Sequence, residues 1–319
     1  MKQRFFLSLI LFLTVISGCT KDNRPIIGIA WREGLTGSSY MGTYLAIEAI
    51  GARPVLLGQV QSSALTYADS KIAPEHIDSL DFLLLADAER VKEGSFLASN
   101  AEEVMRGIDA VVMTGGEDIS PTLYHNPQPW HGIEAERDYN PTRDVSDYLL
   151  LQYCIENDIP TLCICRGAQM LAVVSGAELI QDIPTHYALQ GANYTHAHRY
   201  DRSNPDAEHD YMSHDVVVND KNSILYKAVE TDIIKGCPSW HHQAIGPLDG
   251  TKAVATATTT TDGIAITEAL ERTDARFVVG VQYHPEVVLY KQDKGEERLS
   301  RYMSRDEALL YFQALKEAI

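Results

Sequence analysis

The chain has 319 residues, 45% of them hydrophobic, and a formal net charge of −17. That length suits one large α/β domain or two modest ones, with enough apolar content for a full core. So acidic a surface repels phosphate backbones, which argues against nucleic acid as a partner.

At the N-terminus, Lys2 and Arg4 precede an apolar run of about a dozen residues, the pattern of an export signal. The run is shorter than the roughly 20 residues a stable membrane span needs. It ends in Ile16-Ser17-Gly18-Cys19, which resembles a bacterial lipobox. The expectation is a lipoprotein signal peptide over residues 1–18, a lipidated tether over 19–24 with lipid on Cys19, and a single domain over 25–319. The protein would then sit in the cell envelope, touching a membrane only through its lipid. Four cysteines remain, at 154, 163, 165 and 237. Cys163 and Cys165, two apart on one strand, would share a face and not bridge, so no disulfide framework is expected.

Residues 24–31 form a β-branched run suited to a buried first strand, and 40–51 carry apolar residues at helical spacing before a glycine stop. A second strand is predicted over 53–58, strand or helix over 82–86, and a helix over 100–107. Residues 108–116 read as a strand opening into the turn Thr114-Gly115-Gly116. A helix over 145–158 precedes a buried strand over 159–165. Further strands are predicted over 214–219, 252–258, 263–270 and 276–282, and an amphipathic helix over 304–318. Asp306 and Glu307 in its first turn suit the helix dipole. Alternating strands and helices predict an α/β protein with a mostly parallel sheet covered on both faces. In such sheets ligand sites gather at the carboxyl ends of the strands.

The stretch Thr161–Leu171 concentrates the chemistry. A buried strand ends at Cys165, turns through Arg166-Gly167, and enters a helix from about Ala168. That arrangement lifts a thiol off the sheet edge and sets a helix N-terminus behind it. Gly167 suits a place where a side chain would strike the neighbouring strand. Cys163, earlier on the strand, is expected to be buried and inert. A thiol nucleophile needs a base and a group to orient it. His284 and Glu286, after the strand of residues 276–282 and linked by Pro285, supply both.

Three segments in chain order, Met113–Tyr124, Ile164-Cys-Arg-Gly-Ala-Gln169 and Gln282-Tyr-His-Pro-Glu286, resemble class I glutamine amidotransferase-like hydrolases. Within these they resemble the branch of γ-glutamyl-γ-aminobutyrate hydrolase and γ-glutamyl hydrolase, over nearly the whole chain from Pro25. The resemblance implies a flavodoxin-like three-layer sandwich and a Cys165–His284–Glu286 triad. It also implies an oxyanion hole from the amides of Gly116 and Arg166, with Gly115 and Gln169 contacting substrate. Residues 237–245 resemble a family segment at Ser239, His241 and Gln243, with Pro238 where asparagine is common. These three are candidate substrate contacts, or part of an aromatic-rich loop over the site. Arg143, in an Arg-Asp-rich family segment, would meet a substrate carboxylate or pair within its own segment.

The resemblance implies cleavage of a small γ-glutamyl substrate through a thioester, with no cofactor. The alternatives are an amidotransferase's glutaminase subunit and a non-catalytic binding lipoprotein of the same fold. Eleven histidines, several within 195–215, raise a metal reading, but neither His-Glu-x-x-His nor paired Cys-x-x-Cys occurs. No metal site is expected, and the 195–215 stretch is expected to be a loop over the active-site mouth. The sequence carries no signal of oligomeric state.

Overall fold

A computed structural model describes residues 22–194, 197–200, 210–296 and 299–319. The expected signal peptide, Cys19, the first half of the tether and much of the His-rich stretch lie outside the described residues. In chain order the strands are β1 (Ile26–Ile29), β2 (Arg53–Leu56), the short β3 (Tyr67–Ala68) and β4 (Lys71–Ile72), β5 (Ala110–Met113), β6 (Thr161–Ile164) and β7 (Leu179–Ile180). They continue with β8 (Met212–Val218), β9 (Ile233–Ser239), β10 (Ala244–Ile245), β11 (Ala253–Thr261), β12 (Ile264–Arg272) and β13 (Val278–Val281). The α-helices are α1 (Ser38–Ala49), α2 (Leu85–Gly94), α3 (Ala101–Val104), α4 (Pro141–Glu156), α5 (Arg166–Val174), α6 (Ile183–Leu189), α7 (Ile224–Val229), α8 (Pro285–Asp293) and α9 (Arg305–Glu317).

The main sheet runs β2-β1-β5-β6-β13-β12-β11-β8-β9. Its first five strands are parallel. From β13 onward the neighbours are antiparallel, and β10 ties β12 to β7. This is an α/β fold with a parallel central sheet, as expected, extended by an antiparallel half that alternation alone did not predict.

Successive side chains on a strand point to opposite faces, so a strand covered on both sides reads as an unbroken apolar run. Val111, Met113 and Cys163 pack with Leu149 of α4 and Met170 of α5 on one face. Ala110, Val112, Leu162 and Ile164 pack on the other with Ile47 of α1, Val288 of α8 and Phe312 of α9. The two layers of helix flank one sheet.

α5 begins at Arg166, two residues before the predicted start, because Cys165 already caps it. α9 begins with a full capping box, Ser304 and Glu307 bonding reciprocally. The 195–215 stretch is not all loop, since Met212–Asp215 open β8. Among the described residues no helix is long and apolar enough to cross a membrane.

Candidate active site

Three adjacent parallel strands deliver the site from their carboxyl ends. β5 leads into Thr114-Gly115-Gly116, β6 into Cys165 and β13 into His284. Cys165 has φ 52° and ψ −106°, a conformation non-glycine residues seldom adopt. The bend turns its side chain toward the α1/α8 face, whereas Cys163 packs against α4 and α5. The two sulfurs therefore do not share a face, contrary to the simple strand expectation. Cys163 is fully buried, and burial pushes its thiol well above the ordinary range. At Gly167 a Cβ would lie 2.6 Å from the Met113 carbonyl oxygen, so only glycine lets α5 start this close to β5.

His284 caps α8, with Pro285 at the first helical position, where its missing N–H costs nothing. Its amide donates to the Pro238 carbonyl at 2.8 Å, and its Nδ1 donates to Glu286 Oε1 at 2.8 Å. The Cys165 sulfur accepts from Gln282 Nε2 at 3.6 Å and lies near enough to the His284 ring to act on its charge. Burial pulls the imidazole downward, but the negative charges of Cys165 and Glu286 outweigh it and hold it well above its ordinary value.

Sequence reasoning missed Ser39 at the start of α1. Its hydroxyl donates to Glu286 Oε1 at 2.7 Å and accepts the Gly115 amide at 3.2 Å. One hydrogen-bonded chain thus joins the glycine loop through Ser39 and Glu286 to His284, beside Cys165. Gly42, one turn later, lets α1 touch α8, since a Cβ there would overlap the Glu286 carbonyl. Tyr211 closes the other side, its ring edge-on to His284 at 5.2 Å between centroids.

Of the two alternatives for Arg143, the structure shows pairing within its own segment, and the expectation for Ser239 needs correction. Arg143 does not reach substrate, because its guanidinium is fully buried beneath the glycine loop. It donates to the Thr114 and Gly115 carbonyls at 3.1 and 3.0 Å and pairs with Glu117 at 2.5 Å and Asp147 at 3.3 Å. Gly116 is glycine because a Cβ would overlap that guanidinium. Ser239 is likewise spent internally, its hydroxyl donating to the His198 carbonyl at 2.7 Å. The Arg166 side chain is also buried, paired with Asp144 and Asp147 of α4, so only its backbone amide faces the elbow. Burial, opposed by Arg166, lifts Asp144 to about 6.

A cavity of about 80 Å³ reaches the sulfur, lined by Gly116, Gln169, Trp240, His241 and Gln243 together with Cys165. Gln243 presents buried amide atoms without hydrogen-bond partners, and Gln169 Nε2 lies 3.4 Å from the Gln243 carbonyl. The wall carries both signs of charge, with Glu117, Asp118 and Glu136 beside Arg199 and His242. Burial disfavours the charged His242 ring, yet Asp118 and Asp182, each 3.1 Å away, raise it to about 9. None of these charged residues stood out in the sequence, because they come from four separate segments. A second cavity of about 220 Å³ shares Glu136, Arg199, His241 and His242 and adds Tyr194 and Tyr200. A wider cleft of about 640 Å³ lies at the opposite end of α5, around Ser175 and Gly176. Apart from these, His198, His214, His241 and Glu268 converge with one potential ligand atom each, all within 4.8 Å of one another.

The Peptidase C26 family model matches residues 95–286, a span holding Gly115, Cys165, His284 and Glu286. NtpR of Enterococcus hirae is 31% identical over 180 residues, 56% of this chain and 67% of NtpR. The γ-glutamyl-γ-aminobutyrate hydrolase PuuD of Escherichia coli K12 is 27% identical over 191 residues, 58% of this chain and 66% of PuuD. A solved glutaminase domain of Trypanosoma brucei CTPS with bound acivicin aligns at 16% identity and TM-score 0.48, covering 92% of this chain and 93% of that one. With the family model matching well over half of its length, this chain belongs to the Peptidase C26 family of class I glutamine amidotransferase-like hydrolases.

Proposed function

We propose that the protein hydrolyses γ-glutamyl amide bonds through a thioester on Cys165. The observation that carries this reading is the placement of Cys165, at the N-terminus of α5, beside the hydrogen-bonded pair His284 and Glu286. His284, whose proton affinity Cys165 and Glu286 both raise, is placed to hold the thiol's proton. The sulfur attacks the side-chain carbonyl carbon, and the amides of Gly116 and Arg166 receive the developing oxyanion. His284 passes its proton to the departing nitrogen, which leaves as an amine. Water then attacks the thioester, giving a proton to His284, and collapse releases the glutamate carboxylate and the thiolate. Glu286 holds the ring in one orientation throughout, with Ser39 as its second donor.

Substrate fit supports the same reading. A γ-glutamyl head is zwitterionic, and the small cavity is lined by ion-paired groups of both signs, Arg199 with Glu136 and His242 with Asp118, that such a head would meet. The adjoining 220 Å³ cavity gives a leaving amine larger than ammonia somewhere to sit. The similarity to PuuD, named as a γ-glutamyl-γ-aminobutyrate hydrolase, supports this class of bond.

The test is intact-protein mass spectrometry after acid quench of enzyme mixed with a γ-glutamyl anilide. The reading expects one γ-glutamyl group on Cys165, absent from Cys165→Ala. Turnover without that adduct, undiminished in Cys165→Ala, would overturn it.

A further inference from the structure

Beyond the sulfur chemistry, we infer that His198, His214, His241 and Glu268 form a buried binding site for one divalent transition-metal ion of the zinc class. The coordinating atoms are His198 Nδ1, His214 Nε2, His241 Nε2 and Glu268 Oε1, all within 4.8 Å of one another. From Glu268 Oε1 the three nitrogens lie at 3.1, 3.7 and 3.7 Å. Ligands about 2 Å from a tetrahedral zinc stand roughly 3.3 Å apart, so side-chain closure alone completes the geometry. Three imidazoles and one carboxylate are a borderline donor set that suits zinc or cobalt better than calcium or magnesium.

Polar satisfaction leads to the same place. All four side chains are at least nine-tenths buried. Both ring nitrogens of His198 and of His214, Nε2 of His241 and both oxygens of Glu268 lack a well-aligned hydrogen bond, although His198 Nδ1 lies 3.1 Å from Glu268 Oε1. Buried polar atoms left without aligned partners are destabilising, a carboxylate most of all. One cation at the centre satisfies an atom on every side chain and the charge together. His241 is already prepared for it. Its Nδ1 can only donate to the Gln243 carbonyl 2.8 Å away, which leaves the Nε2 lone pair facing the cluster, the usual outer-shell device of a metal-bound histidine.

The backbone is shaped around the same point. The β11–β12 register passes from Ala257↔Ala269 to Thr258↔Thr267, leaving Glu268 as the extra residue of a bulge. The β8–β9 register shifts immediately after His214. Bulges re-aim side chains; Glu268 is the extra residue of the first, and the second, with its extra residue on β9, lies beside His214. With four protein ligands and no open face, the ion is structural. It ties β8, β12, the 197–200 segment and the wall at His241 together behind His284, whose strand reaches Glu268 through the Gln282 amide at 2.8 Å.

The test is metal content of the full chain, purified without a histidine tag in mild detergent and freed of loose ions by gel filtration. Wild type and Cys165→Ala should each retain about one zinc per chain, and His214→Ala and Glu268→Gln less than about a tenth. Should those variants fail to fold, wild type decides. Chelation should lower its melting temperature, one equivalent of Zn²⁺ should restore it, and Co²⁺ should give the visible absorption of a tetrahedral N/O site. Wild type that neither retains nor binds Zn²⁺ or Co²⁺, metal that survives in folded His214→Ala, or metal lost in Cys165→Ala would overturn the inference.

Discussion

At the scale of single residues, the burial of Arg143 and the charge on His284 decide how the site works. Arg143 anchors the glycine loop instead of binding substrate. Removing one partner of a buried ion pair costs about 3–5 kcal/mol. Arg143→Met should therefore lower stability by about that amount in chemical denaturation, with kcat falling as the oxyanion loop loosens. A rise in KM at unchanged stability would instead mark a substrate ligand. For His284 the sign is set by Cys165 and Glu286, which raise its proton affinity against burial. The working pair needs the imidazolium, so kcat/KM should persist as pH climbs past the ordinary imidazole value and fall only well above it. Glu286→Gln removes one of the two raising charges. Its alkaline limb should move to lower pH, with kcat reduced roughly 10²-fold or more. An unmoved limb in the pH–rate profile would separate Glu286 from His284.

At the scale of elements, the site depends on helices and strands that meet at glycines. Gly42 brings α1 against α8, and with it Ser39 against Glu286. Gly42→Ala should force those helices apart, at about 1–3 kcal/mol measured by denaturant unfolding, with activity falling alongside. The elements that were legible in the sequence are those with unbroken runs, such as β1, β5, β6 and α9. Legibility failed where the rules invert. β9 contains Gly236 at φ 65° and Pro238, which read as a loop but are tolerated on an edge strand. Pro285 reads as a stiff link, yet it sits at the first position of α8. The Asp262-Gly263 turn, both residues at positive φ, joins β11 to β12 as a hairpin and begins the antiparallel half. That signal was present in the sequence and was outweighed by the α/β alternation before it.

For the molecule as a whole, the parallel strands bring Cys165, His284 and the glycine loop together, and the antiparallel half builds the wall around them. The Cys165–His284–Glu286 constellation could be named from three short motifs because each lies at a strand end, where local sequence dictates local geometry. The mixed-charge cavity and the histidine cluster could not, since their members are gathered from distant segments by tertiary packing. Glu268 alone is separated from His198 by much of the antiparallel half. That wall bears on the substrate class. On the proposed function, the adjoining cavity of about 220 Å³ is where a leaving group larger than ammonia would sit. Binding energy from that group, used to align the scissile carbonyl, lowers the barrier of the chemical step. The most direct measurement is kcat/KM for glutamine against a series of γ-glutamyl amides of increasing amine size, with Cys165→Ala as the blank. The account predicts that γ-glutamyl amides of larger amines exceed glutamine by at least about tenfold, and that Cys165→Ala is inactive on all of them. Glutamine turning over faster than every larger amide, with ammonia released, would contradict it.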